Sequence, residues 1–182
     1  MHNYGRFEID LTDSLLLTGL GPVLHPLLGM RGMEVRKGSR QQGYFQVRIV
    51  RSVPDDYSGS LMAWIGITIN DVPPMDLPGI PTRFWLDYKQ PTYGWVENGR
   101  IYTRDGIINA DNSKASRFRT GDVVGLMVDC VEIPTLRFFL NGVLVRQLGL
   151  LQEDYGSVLY PAFLLNFAQI HVASNPGLPI EF

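Results

Sequence analysis

Apolar side chains recur at every second position in several short stretches of this chain. In Tyr44-Phe45-Gln46-Val47-Arg48-Ile49-Val50, Phe45, Val47 and Ile49 share one face, while Gln46 and Arg48 share the other. Phe7, Ile9 and Leu11 alternate in the same way with Glu8 and Asp10. A period of two puts successive side chains on opposite faces of a pleated strand, so both stretches predict strands with one face in a core. Leu61 to Ile69 and Val123 to Val128 are nearly continuous apolar runs, which predict strands covered on both faces. No window of helical length repeats with a convincing period of 3.6, so little helix is expected.

Two Asn-Gly pairs place turns. Asn141-Gly142 separates Leu136-Arg137-Phe138-Phe139-Leu140 from Val143-Leu144-Val145, and Asn98-Gly99 separates Tyr93-Gly94-Trp95-Val96 from Arg100-Ile101-Tyr102-Thr103. Asn-Gly tolerates the two positive φ angles of a type I′ turn, so each pair predicts a hairpin. Short strands punctuated by turns imply an all-β fold of two antiparallel sheets packed face to face. Three longer stretches interrupt the rhythm: Gly19–Gly29, Asn70–Thr92 and Gly106–Thr120. Long loops on a sheet scaffold are where binding residues usually lie. No internal repeat and no low-complexity tract is seen.

Length and charge narrow the classes. A chain of 182 residues suits one domain, 1–182, with a core that needs no disulfide or metal, and the one cysteine, Cys130, cannot form an internal bridge. Net charge is 16 − 18 = −2. Residues 1–91 hold nine acids and nine bases, and the rest hold nine and seven, so no half is basic enough to suggest nucleic-acid binding. Leu15 to Met30 is the most apolar stretch near the start, but Pro22, His25 and Pro26 break it and Glu8, Asp10 and Asp13 precede it. That pattern fits neither a membrane span nor a signal peptide, and an intracellular protein is the expectation.

Catalytic signatures are missing. No Gly-x-x-x-x-Gly-Lys loop occurs, and Gly19-Leu20-Gly21 has Leu24 where a dinucleotide fingerprint needs glycine. His2, His25 and His171 have no metal-ligand spacing, and His171 is expected to face solvent opposite Ile170 and Val172. Cys130 reads as a packed thiol, and Asp129 and Glu132 as solvated acids at a strand end. Arg31, Arg36, Lys37 and Arg40, interrupted by Glu34, read as a solvated loop. Asp122 is expected to hydrogen-bond backbone amides in a turn ahead of Val123. Trp64 and Trp95 fall within strand patterns and are expected in the core. Phe84, Trp85 and Tyr88 lie within a long proline-rich loop, where they either cap the sandwich or bind a partner.

Several ordered motifs carry a resemblance. Phe118-Arg119-Thr120-Gly121-Asp122-Val123-Val124-Gly125-Leu126-Met127-Val128-Asp129, then Leu136 to Gly142, then Leu159-Tyr160-Pro161-Ala162, resembles the SPRY domain family. Gly29-Met30-Arg31-Gly32, Gly43 to Val47, Trp64-Ile65-Gly66-Ile67 and Tyr93-Gly94-Trp95 extend the similarity to about residues 29–174. The resemblance implies a concanavalin-like two-sheet sandwich that binds a protein or peptide, has no catalytic activity and needs no cofactor. In SPRY adaptors that carry a SOCS box, three segments hold short peptides. The matching stretches are Pro22–Leu28, Thr82–Tyr88 and Asn166-Phe167-Ala168, which make His25, Pro26, Leu27, Arg83, Phe84, Trp85, Tyr88, Asn166 and Phe167 the candidate site residues. The family's Arg-x-Pro and loop tyrosine are not reproduced, and Phe167 stands where the adaptors have tryptophan. A lectin-like carbohydrate binder on the same architecture is the alternative, because fold does not fix function.

Overall fold

The computed structural model describes residues 2–3, 7–10, 16–19, 24–26, 33–40, 42–51, 63–69, 92–103, 106–108, 117–165 and 168–172. Among them the chain runs through β1 (His2–Asn3), β2 (Phe7–Asp10), β3 (Leu16–Gly19), β4 (Leu24–Pro26), β5 (Met33–Glu34), β6 (Gln42–Arg51), β7 (Ala63–Ile69) and β8 (Thr92–Val96). It continues through β9 (Ile101–Thr103), β10 (Gly106–Ile108), β11 (Val123–Asp129), β12 (Thr135–Leu140), β13 (Val143–Gly149), β14 (Val158–Leu165) and β15 (Gln169–Val172). A single 3-10 turn, Gln152–Asp154, is the one helical piece in the described residues. The expected all-β architecture is therefore present. Two of the three stretches read as loops contain strands: β4 lies within Gly19–Gly29, and β10 begins Gly106–Thr120. Both are only three residues long, too short for a period of two to register.

Strands pair antiparallel in two sheets. The first has the order β1-β2-β3-β15-β6-β11-β12-β13; the second runs β10-β9-β8-β7-β14, with β4 and β5 both on the far side of β14. Phe45, Val47 and Ile49 of β6 are buried and Arg48 between them is exposed, as alternation requires. β11 is buried from Val124 through Asp129, so both its faces are covered.

The inner faces meet through aromatic rings. Phe45 of the first sheet packs edge-on against Phe163 of the second at 5.9 Å between centroids, and Trp95 packs edge-on against Phe138 at 6.0 Å. Such T-shaped pairs set the positive ring edge against the negative face, adding about 0.5–1.5 kcal/mol to the apolar burial. Ile65, Leu126, Leu136, Leu165 and Ile170 fill the layer around them.

The outer face of the first sheet has an apolar seam of its own. Residues paired across strands share a face, so Tyr44 and Met127 stand beside each other, as do Gly125 and Phe139. A Cβ on Gly125 would come within 2.9 Å of Cε2 and Cζ of Tyr44, so the missing side chain is what seats that ring. From there Tyr44 meets Phe139 edge-on at 6.1 Å, and its hydroxyl donates to Gln46 Oε1 at 3.0 Å.

Proline in the middle of β14 has a local explanation. Residues 162–164 pair with β4 and residues 158–159 pair with β5, so Tyr160 and Pro161 fall in the gap between those two short strands. A residue without an N–H is tolerated where no neighbouring strand needs the donor.

Candidate partner-binding surface

The sandwich has two ends, each closed by a different buried side chain. At one, Phe118 is 4% exposed and packs edge-on against Trp95 at 5.3 Å. Its amide donates to Glu97 O at 3.2 Å, joining it to the turn between β8 and β9. The following residues reach the other sheet: Gly121 N donates to Ile49 O at 2.8 Å, and Ile49 N donates to Asp122 O at 2.9 Å. Residues 117–122 thus bridge the ends of both sheets.

Asp122 holds that bridge closed. Its Oδ2 accepts from Arg119 N at 2.9 Å, and its Oδ1 accepts from Asn141 Nδ2 at 2.9 Å. Asn141 Oδ1 in turn accepts from Val123 N at 2.8 Å, while its own amide donates to Val123 O at 2.8 Å. The expected role of Asp122 as a turn residue is what the structure has, with Asn141 as a partner that sequence reasoning did not supply. Asn141 has φ 51° and Gly142 has φ 81°, the pair of positive angles that a type I′ turn demands. The other Asn-Gly turn is different: Gly99 alone is positive, at 89°. Gly99 N donates to Val96 O at 2.8 Å, Val96 N donates to Arg100 O at 2.9 Å, and Arg100 N donates to Asn98 Oδ1 at 3.0 Å. That is a three-residue loop ending in a glycine bulge, not a type I′ turn.

At the opposite end the closing residue is Asp154, 1% exposed. Tyr93 of β8 donates its hydroxyl hydrogen to Asp154 Oδ2. A buried carboxylate without such a donor would carry a desolvation cost of about 1–3 kcal/mol or more, so the pair fixes the 3-10 turn onto the second sheet. Nearby, Asp129 is 7% exposed, not solvated as its position at a strand end suggested. It accepts from Val131 N at 3.0 Å and forms an ion pair with Arg137 Nη2 at 3.2 Å. Cys130 is buried as expected; burial pushes its thiol pKa up, the Arg36 backbone amide opposes this, and the charge of Asp129 adds to it. Arg36, Lys37 and Arg40 are exposed, with Arg36 paired to Glu34 at 2.7 Å. His171 is half-buried between the buried Ile170 and Val172, consistent with its expected outward face.

Of the candidate site residues, Leu27, Arg83, Phe84, Trp85, Tyr88, Asn166 and Phe167 lie outside the described residues. His25 and Pro26 stand in β4, opposite Phe163 and Ala162. The flanking strands locate the roots of the three segments. β14 ends at Leu165, opposite Ala63, whose carbonyl accepts from Glu97 N at 3.3 Å; the 166–167 segment therefore starts at the Phe118 end. Leu24 opposite Leu164 brings the start of β4 to the same end. Residues 70–91 leave from Ile69, opposite Leu159, and re-enter at Thr92, opposite Thr68, which is the Asp154 end.

A set of side chains that sequence reasoning passed over also gathers at the Phe118 end. Arg117 and Arg119 flank the buried Phe118, Arg100 leaves the β8–β9 turn, and Arg48 precedes Ile49; all four are exposed. They are scattered in sequence, so no run of charge marked them. Among the described residues no group of three His, Cys, Asp or Glu side chains is placed to hold a metal ion, and no helix is long and apolar enough to cross a membrane.

No family model matches the chain, and no curated protein matches it. Solved structures do. The SPRY domain of human HERC1 aligns over 97% of both chains at 14% identity and TM-score 0.60. A human SPRY domain aligns over 97% of this chain and 100% of its own at 17% identity and TM-score 0.59. The PSpry domain of TRIM65 covers 92% of this chain and 85% of its own at 12% identity and TM-score 0.58. With two antiparallel sheets in this order and these neighbours, the chain has the fold of the SPRY domains, a concanavalin-like β-sandwich.

Proposed function

We propose that the chain is a single non-catalytic interaction domain that takes an extended peptide or protein segment through loop segments of the sandwich. It would serve inside cells as an adaptor or recruiting part of a larger assembly. The observation that carries this reading is the SPRY fold over nearly the whole chain, since the solved neighbours with that fold are SPRY domains. The segments at issue are Pro22–Leu28, which contains β4, Thr82–Tyr88 and Asn166–Ala168. Their rings, Phe84, Trp85, Tyr88 and Phe167, offer large contact area at low cost in side-chain entropy, and Arg83 offers a charge-assisted hydrogen bond.

Two variants test the reading, measured for partner retention and thermal unfolding on the same preparations. Arg83→Ala and Phe167→Ala are each expected to weaken retention of a partner, Phe167→Ala by ~2 kcal/mol, while the domain stays folded. A loss of ~3 kcal/mol or more of stability in Phe167→Ala would instead make that ring a plug of the core. Stable variants that retain the partner fully would refute the loop site.

A further inference from the structure

We infer that the Phe118 end of the sandwich, through Arg48, Arg100, Arg117 and Arg119, receives an acidic extended segment of a protein partner. The inference rests on the proposed interaction role and names the chemistry of the partner. Backbone hydrogen bonds place the four arginines at one end of the sandwich: Phe118 to Glu97 joins 117–119 to the turn that carries Arg100, and Gly121 and Asp122 to Ile49 join it to the strand of Arg48.

Charge balance distinguishes this end from the other. At the Asp154 end, Arg36 is paired with Glu34 and Arg137 with Asp129, and Lys37 and Arg40 share the surface with exposed Glu132 and Glu153. At the Phe118 end, none of the four guanidinium groups has an ion-pair partner among the described residues. Among the described residues two acids share this end, Asp122, whose oxygens accept from Arg119 N and Asn141 Nδ2, and the half-buried Glu97, so four guanidinium groups stand against two carboxylates. Unpaired like charges held together on a rigid frame repel one another, and an anionic ligand relieves that repulsion.

The spacing selects an extended peptide. Burial of Phe118 between two exposed arginines shows that residues 117–119 alternate in and out. Alternate carboxylates on an extended partner are about 7 Å apart, a repeat suited to two exposed arginines on either side of one buried residue. Guanidinium forks then bind carboxylates in two-bonded geometry. Nucleic acid fits less well. Net charge is −2, and the described rings at this end, Trp95 and Phe118, are 1% and 4% exposed, so neither of these two offers a stacking face.

The test uses the whole chain and a fluorescent Glu-rich peptide, followed by anisotropy over a salt series, beside a Gln-rich peptide of equal length. The wild type is expected to bind the Glu-rich peptide, with affinity falling as salt rises, and to ignore the Gln-rich one. Arg117→Ala/Arg119→Ala is expected to bind about tenfold more weakly at unchanged melting temperature, and Arg36→Ala/Arg40→Ala to bind as the wild type does. Equal binding by wild type and the Arg117/Arg119 variant would overturn the inference, as would Gln-rich peptide binding as tightly. Tighter binding of an oligonucleotide or of anionic vesicles than of the peptide would also overturn it. If a partner retained by the wild type is retained equally by the Arg117/Arg119 variant, the interaction role stands and the arginine surface falls.

Discussion

Gly125 shows how one missing side chain organises its neighbours. The Tyr44 ring occupies the space where its Cβ would be, and from there touches Phe139 and reaches Gln46. Gly125→Ala is expected to displace the ring and destabilise by about 1–2 kcal/mol, because an edge contact and a hydrogen bond weaken together. The same change made in Tyr44→Ala should cost far less, and a double-mutant cycle by chemical denaturation reads the coupling. The sequence made β11 legible as a strand buried on both faces, but the partner of Gly125 depends on register with β6, which no local pattern carries. Cys130 makes a different residue-scale prediction. Its folded pKa is raised, chiefly by burial, so the folded state holds the thiol proton more tightly than the unfolded state does. Its contribution is whole below its ordinary value of 9.0 and is lost as pH rises beyond it. Tyr44, also raised by burial, extends the decline above its ordinary 10.0. Denaturation midpoints across alkaline pH should fall less steeply in Cys130→Ala than in the wild type, and identical slopes would contradict this assignment.

At the scale of elements, the two Asn-Gly hairpins separate what sequence can and cannot specify. Both were readable as turns between strands, yet only Asn141-Gly142 takes two positive φ angles. The difference comes from loop length: Val96 pairs with Arg100 across three residues, so Asn98 keeps a negative φ and only Gly99 needs the left-handed region. Gly99→Val and Gly142→Val should each cost about 1–3 kcal/mol, since a β-branched residue is strained there. Asn98→Ala should cost under about 1 kcal/mol, the worth of one exposed hydrogen bond to Arg100 N. Asn141→Ala should cost more than that, because it removes the positive-φ preference together with the bonds to Val123 and Asp122. Equal losses from the two asparagine variants in thermal unfolding would count against this distinction. The arginines are the clearest case of what a sequence withholds: Arg48, Arg100, Arg117 and Arg119 are separated by up to dozens of positions, and the bridge of residues 117–122 brings them to one end of the sandwich. The basic run around Arg36, conspicuous in the sequence, is an ordinary solvated loop.

On the scale of the whole molecule, protection from exchange should follow strand position. Amides of β6 and β11, each flanked by strands on both sides, and of β7 and β14 in the other sheet should exchange last. Those of β13, the edge strand, should exchange earlier despite its seven-residue length. A hydrogen-exchange map in which β13 outlasts β6 would show that the edge is covered. The strand order also has a consequence for synthesis. β15, formed by residues 169–172, lies between β3 and β6, so the place beside β6 stays vacant until nearly the whole described chain has been made. A growing chain on the ribosome can close the local hairpins β8–β9 and β12–β13 as they emerge, but it cannot join β1-β2-β3 to the rest of the first sheet. During that interval β6 presents an open flank, the kind of edge that other nascent chains can pair with. The strand that completes the sheet is the last described strand to leave the ribosome, so this sandwich is completed only after every other described strand has emerged.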